Sequence, residues 1–197
     1  MRIVAEQLTA EGFADFGDVL EPGANGSQPL TNMDFLARGL IMFPDGHETG
    51  DADVLDAFDY WPAITVLPDD PKASMIRVRS RPMEVGYYER HILGRQLMVN
   101  LGPVPVVLVV APGRSGTEGP AQALAAVWRE SKAFVVRVGE GVNLRPSVWH
   151  WPPFPVGGVS ASCFMIVRAS AGLDDYTFSS IEAVGGEILQ VTVPEGG

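Results

Sequence analysis

The sequence predicts an all-β fold, and three observations carry that expectation. The chain holds 22 glycines and 16 prolines among its 197 residues, so few stretches escape interruption long enough to form a long helix. Between these breaks lie short runs rich in Val, Ile and Phe, such as residues 104–110 and 133–138, with the composition of strands. A hydrophobic content of 46% allows one sizeable core, so a single domain over 1–197, a sandwich or barrel, is expected, with two small domains as the alternative.

Composition also bounds function. The formal charge of −10 argues against a nucleic-acid surface, which needs clustered Lys and Arg to displace counterions from phosphate. No apolar run approaches the roughly 20 residues that cross a bilayer, and no basic-then-apolar signal opens the chain, so membrane insertion and secretion are disfavoured. Cys163 is the single cysteine and lies in the apolar run ASCFMIV, where it packs as a small hydrophobe and suits a reducing cytoplasm. Small molecules are the expected partners.

In chain order, residues 2–5 read as a strand, and Thr9 can cap a brief helix that turns Phe13 and Phe16 inward. Gly17 ends it, a strand starts at Val19, and the run 21–29 is a turn-rich loop. Strands are expected at 35–43 and 61–67. Between them Asp45, Glu48, Asp51, Asp53, Asp56 and Asp59 surround His47; their spacing matches no calcium loop, and a solvated surface is expected. The strand at 74–81 alternates Arg77, Arg79 and Arg81 with Ile76, Val78 and Ser80 and puts three guanidiniums on one face. Facing inward, they could grip a carboxylate by bidentate hydrogen bonds; facing outward, they are solvated or paired.

The densest stretch follows, YYERHILGRQLMVNLGPVPVVLVV at 87–110. Glu89 and His91 are two apart and share one side of an extended strand, so a carboxylate, an imidazole and the Gln96 amide can meet in one pocket. Taken singly, a strand histidine is as well explained by structural hydrogen bonding, and Glu89 beside Arg90 by a solvated edge. Gly102 and Pro103 mark a turn before the apolar strand. Pro120 opens a helix through Glu130, with Leu124 and Trp128 on its core face. A second dense segment, GEGVNLRPSVWHWPPFP at 139–155, lacks any phosphate-loop or dinucleotide glycine pattern. Pro152, Pro153 and Pro155 forbid a helix after His150, which is left at a strand end or turn. Two more strands are expected at 159–169 and 187–193.

The run ERHxxGxQ from Glu89 through Gln96 and the apolar strand after it, Ala133-Phe134, GVN at 141–143 and VWH at 148–150 together resemble the ureidoglycolate lyase family. LTAEGFADFGDVLE at 8–21 resembles that family's opening, and Arg79 with Pro82 matches an arginine position before ERH. The resemblance covers most of the chain. It implies a cupin-like double-stranded β-helix barrel with one or two short helices, a cytoplasmic homodimer, and release of urea from ureidoglycolate to leave glyoxylate in purine-derived nitrogen recovery.

A divalent metal such as nickel or manganese is also implied. Glu89, His91, Gln96 and His150 are the ligand set the residues permit, and mixed oxygen and imidazole donors suit such an ion. His91 or His150 would act as base, Arg79 or Arg145 would hold the substrate carboxylate, Asn143 would hydrogen-bond the ureido group, and Trp149 would form a wall. The chain departs from the family at Leu144, Arg145 and Pro146, where Tyr-His-Arg is common, and at Trp151, where a histidine is common. Arg168 and Ala169 stand against a common Asp-Arg pair. Three readings therefore remain: the lyase, another metal-dependent cupin enzyme acting on a small carboxylate, and a non-catalytic ligand-binding cupin.

Overall fold

Alternating apolar and polar residues resolve into thirteen strands in the structure, a computed structural model that describes residues 1–20, 71–114, 119–168 and 176–194. The first part comprises β1 (Arg2–Gln7), helix α1 (Ala10–Phe13) and β2 (Gly17–Leu20). Then come β3 (Pro71–Val78), β4 (Glu84–Val85), β5 (Tyr87–His91), β6 (Gln96–Asn100), β7 (Val106–Ala111) and helix α2 (Pro120–Ala125). The last are β8 (Lys132–Val136), β9 (Gly141–Leu144), β10 (Trp149–Pro155), β11 (Ala161–Arg168), β12 (Tyr176–Ser180) and β13 (Leu189–Thr192). The described residues belong to one compact unit, Met1–Glu21 with Thr65–Gly197. The strands expected at 35–43 and 61–67, the acidic tract, and hence part of the expected single domain lie outside the described residues.

Two sheets form. One runs β12-β5-β10-β7-β8-β1-β13-β4 and the other β2-β9-β6-β11-β3. The result is mostly β with few short helices, a curled, cupin-like half-barrel; among the described residues the sheets stop short of a fully closed double-stranded β-helix barrel. β7 is buried along its whole length, as its unbroken apolar run requires for a strand covered on both faces. On one face of the larger sheet Val107, Val109, Trp149 and Phe154 pack with Leu124 of α2 and with Trp128. The opposite face presents Leu108 and His150.

Local chemistry accounts for the short elements. Thr9 caps α1 by accepting from the Gly12 amide at 3.0 Å, and Phe13 and Phe16 are buried against Phe134, with ring centroids 5.1 and 5.9 Å away. Pro120 opens α2, which ends at Ala125; the expected helix through Glu130 continues only as a 3-10 turn at Trp128–Glu130. The turn at Gly102 is clamped by buried Asn100. Its Nδ2 donates to the Val104 and Val136 carbonyls at 3.0 Å each, and its Oδ1 accepts from the Gly102 amide at 2.9 Å. β2 lies so close to β9 that any Cβ at Gly17 would collide with the Asn143 carbonyl, which explains a glycine there.

Candidate functional site

The site begins with a strand register. β5 and β10 are antiparallel neighbours, and Glu89 stands directly opposite His150. Side chains at such positions leave the same face about 5 Å apart, and here the His150 Nε2 atom lies 3.5 Å from Glu89 Oε1. Alternation along β5 does the rest. Tyr88 and Arg90 are buried on one face, while Glu89 and His91 are half-buried on the other, as expected from their spacing.

Pairing fixes the state of His150. Its Nδ1 lies 3.0 Å from the Val148 carbonyl oxygen, an atom that only accepts, so Nδ1 carries the hydrogen. His150 is 4% exposed, and burial pushes its imidazole below the usual value; the Glu89 charge and the Val148 hydrogen bond push back, and His91 adds to the lowering. A neutral ring with Nδ1 protonated presents a lone pair on Nε2. His91 stacks beside it, with centroids 6.0 Å apart and planes at 26°. The turn before β10 ties the two histidines together, because the Ser147 amide, in a residue at φ 69°, donates to the His91 carbonyl at 2.6 Å.

Glu89 and His150 border a cavity of about 100 Å³ between the two sheets. The larger sheet contributes Glu89, Leu108, His150, Trp151, Pro152 and Pro153; the smaller contributes Ile76, Gln96, Met98, Leu144 and Met165. Gln96 opens β6, whose preceding residue Arg95 is anchored to β2 by an ion pair with Asp18 at 2.8 Å. Gln96 Oε1 and His150 Nε2 are buried and meet no hydrogen-bond donor.

Three of the expected ligand residues, Glu89, Gln96 and His150, therefore share one cavity, and His91 stands next to His150. The other expected site residues lie elsewhere. Arg79 is exposed beyond the end of β3, which spans Pro71–Val78 rather than reaching Arg81; Arg145 is exposed in the turn after β9. Asn143 is fully buried in β9, and alternation turns it away from the cavity that its neighbour Leu144 lines. Trp149 is buried on the far face from His150, with the Arg90 guanidinium 4.4 Å above its ring. The wall at this point is Trp151. β10 continues through the prolines that were expected to end it, with a register shift between Trp151 and Phe154, and Trp151 borders the cavity.

Among the described residues, no group of three or more His, Cys, Asp or Glu side chains forms a metal cluster. The available donor set is one carboxylate, one imidazole lone pair and one amide oxygen, the last two without a protein donor. Such hard and borderline donors fit a divalent nickel or manganese ion. Cations are missing from the described cavity wall, which is otherwise apolar.

The sequence profile of the ureidoglycolate lyase family matches residues 1–183. The chain is 31% identical over 183 residues to the ureidoglycolate lyase of Mesorhizobium japonicum, covering 90% of this chain and 94% of that one. It is 33% identical over 158 residues to the ureidoglycolate lyase of Burkholderia mallei, covering 79% and 76%. Among solved structures, a 3,4-ketoisomerase from Thermoanaerobacterium thermosaccharolyticum matches at a TM-score of 0.37 and 15% identity, over 54% of this chain and 64% of that one. With a profile match over most of its length and a 31% identical relative aligned almost end to end, this chain belongs to the ureidoglycolate lyase family.

Proposed function

We propose that the chain cleaves ureidoglycolate, or a closely related ureido hydroxy acid, to glyoxylate and urea. The scaffold is an open variant of the double-stranded β-helix. The observation that carries this reading is the His150–Glu89 pair at 3.5 Å beside Gln96 in one cavity. Ureidoglycolate is a carbinolamide, so its cleavage needs one proton removed from a hydroxyl and one delivered to a leaving nitrogen. The Nε2 lone pair of His150 takes the hydroxyl proton; the oxygen's electrons form the aldehyde carbonyl, the C–N bond breaks, and the leaving nitrogen takes a proton to give urea. Glu89 opposes the imidazolium charge while it exists, and His91 is a second imidazole able to carry the proton.

Glu89, Gln96 and His150, with His91 beside them, would hold a divalent nickel or manganese ion. Such an ion supplies Lewis acidity that lowers the pKa of the substrate hydroxyl. Were His150 to hold the ion, His91 would be the imidazole left to act as base. The exposed Arg79 and Arg145 are proposed to meet the substrate carboxylate outside the apolar wall, and Asn143 and Trp149 to support the strands that carry the site. The single buried thiol, Cys163, suits a reducing cytoplasm, and a homodimer is the proposed assembly. Among the described residues no helix is long and apolar enough to cross a membrane.

The test is glyoxylate release from ureidoglycolate by purified protein, with nickel, with manganese and with chelator. Release above the enzyme-free rate in at least one arm is expected; equality with the enzyme-free rate in all three removes the lyase reading. A metal-dependent enzyme for another small carboxylate is the second reading, favoured by Trp151 at a position where the family commonly has histidine.

A further inference from the structure

The lyase reading leaves one part of the site unexplained. Ureidoglycolate is polar throughout, yet the described cavity wall is largely Met, Leu, Ile, Pro and Trp. One of these residues, Trp151, also belongs to a cluster outside the cavity. Its ring lies 5.7 Å from Tyr87 and 5.9 Å from Phe178, and those two rings stack on each other at 5.3 Å and 18°.

The cluster is continuous with the reactive pair. Phe178 of β12 stands in register with Glu89 of β5, Tyr87 lies two residues before Glu89, and all three share one strand face. Tyr87 is 49% and Phe178 46% exposed, so two large aromatic faces meet solvent beside the cavity. Apolar area of this kind adjoining a functional cavity marks a binding surface. Size decides what covers it. A cavity of about 100 Å³ is smaller than the ~150 Å³ that accommodates benzene, so it holds the reacting core of a substrate and little more. A substituent that leaves past Trp151 comes to lie on Tyr87 and Phe178, whose rings contact that of Trp151.

We infer that the preferred substrate is a ureido hydroxy acid whose distal nitrogen carries an apolar or aromatic substituent, seated on Tyr87, Trp151 and Phe178. This inference rests on the lyase reading and narrows it. The chemistry balances as before: the hydroxyl gives up its proton, its electrons form the glyoxylate carbonyl, the C–N bond breaks, and the leaving nitrogen is protonated. A substituted urea is released instead of urea.

The experiment compares glyoxylate release from ureidoglycolate and from N′-phenylureidoglycolate, with nickel or manganese present, in the native protein and in the Tyr87→Ser/Phe178→Ser double variant. A kcat/KM roughly tenfold higher for the phenyl compound is expected in the native protein, as an aromatic contact provides, with the ratio falling towards one in the variant. Equal kcat/KM for the two compounds in the native protein, or a preference that survives the double substitution, overturns the inference while leaving the lyase reading intact. So does a dimer that dissociates in the double variant with no change in substrate ratio, since the rings would then serve a second copy of the chain. Failure of both compounds to release glyoxylate above the enzyme-free rate removes the lyase reading, and this inference with it.

Discussion

His150 presents its Nε2 atom to Glu89 Oε1 across 3.5 Å while its Nδ1 is held by the Val148 carbonyl at 3.0 Å. The second contact dictates the meaning of the first. With its hydrogen committed to Nδ1, neutral His150 offers Glu89 only a lone pair, so two electron-rich atoms face each other in a buried place. The arrangement is satisfied when a proton or a cation arrives between them.

Removing either partner therefore strikes at turnover. In His150→Ala the rate of glyoxylate release falls by roughly 10²–10⁴-fold, the usual contribution of a positioned base. Glu89→Gln keeps the shape and loses the charge that opposes the imidazolium, so it lowers the rate in the same direction. Steady-state assays against an unchanged thermal unfolding profile check both, and full activity in His150→Ala would remove this residue from the mechanism.

Burial of His150 also predicts a pH dependence of stability in chelator-treated protein. Its imidazole is held below its ordinary 6.5 by desolvation, so the unfolded chain takes up the proton first as the pH falls. Above about 6.5 both states are neutral and the contribution is complete; below it, stability declines until the folded-state value is passed. Urea denaturation of native protein and His150→Gln from pH 7.5 downward checks this. The two unfolding free energies converge as the pH drops below 6.5, and parallel curves would show that His150 does not contribute.

Gln96 allows the metal to be examined without an assay. Its Oε1 is buried with no donor, a situation that costs stability unless an ion completes it. Gln96→Leu is expected to stabilise the chelator-treated protein by about 1 kcal/mol. It should also weaken nickel or manganese binding, read by calorimetry, by roughly tenfold or more. Unchanged affinity would take Gln96 out of the ligand set.

Much of this site was legible in the sequence because alternation is a local property. Glu89 and His91 share a face by spacing alone, and the ERH and VWH segments flagged two strands that become neighbours. Strand pairing is not local, so nothing in the chain announced that Glu89 would stand opposite His150. The same parity that turns His150 toward the cavity turns Trp149 away, which a consistent application of alternation would have shown. Trp151 could not be read, because parity along β10 groups it with Trp149, yet it borders the cavity beside His150. Arg79 and Arg81 looked like parts of one strand row, but the strand stops at Val78, and Arg81 instead hydrogen-bonds the Pro152 carbonyl and lies 4.1 Å over the Phe154 ring.

Parity also yields a control. Tyr88 is the immediate neighbour of Glu89 yet points into the core on the opposite face, where its hydroxyl pairs with Ser131 Oγ at 2.6 Å; burial holds its pKa far above the usual range. Ser131 Oγ in turn donates to the Trp128 carbonyl at 2.6 Å and keeps that bond without the phenol. Tyr88→Phe thus removes one buried hydrogen bond and leaves the packing of the ring in place, so it costs about 1 kcal/mol in unfolding free energy. Because the lost group lies behind the sheet, kcat/KM for ureidoglycolate should stay within about twofold of native. Glu89→Gln, one residue along, has the reverse signature, with lost turnover and little change in stability. If Tyr88→Phe lowered turnover as severely as Glu89→Gln, the separation of β5 into a reactive face and a structural face would be wrong.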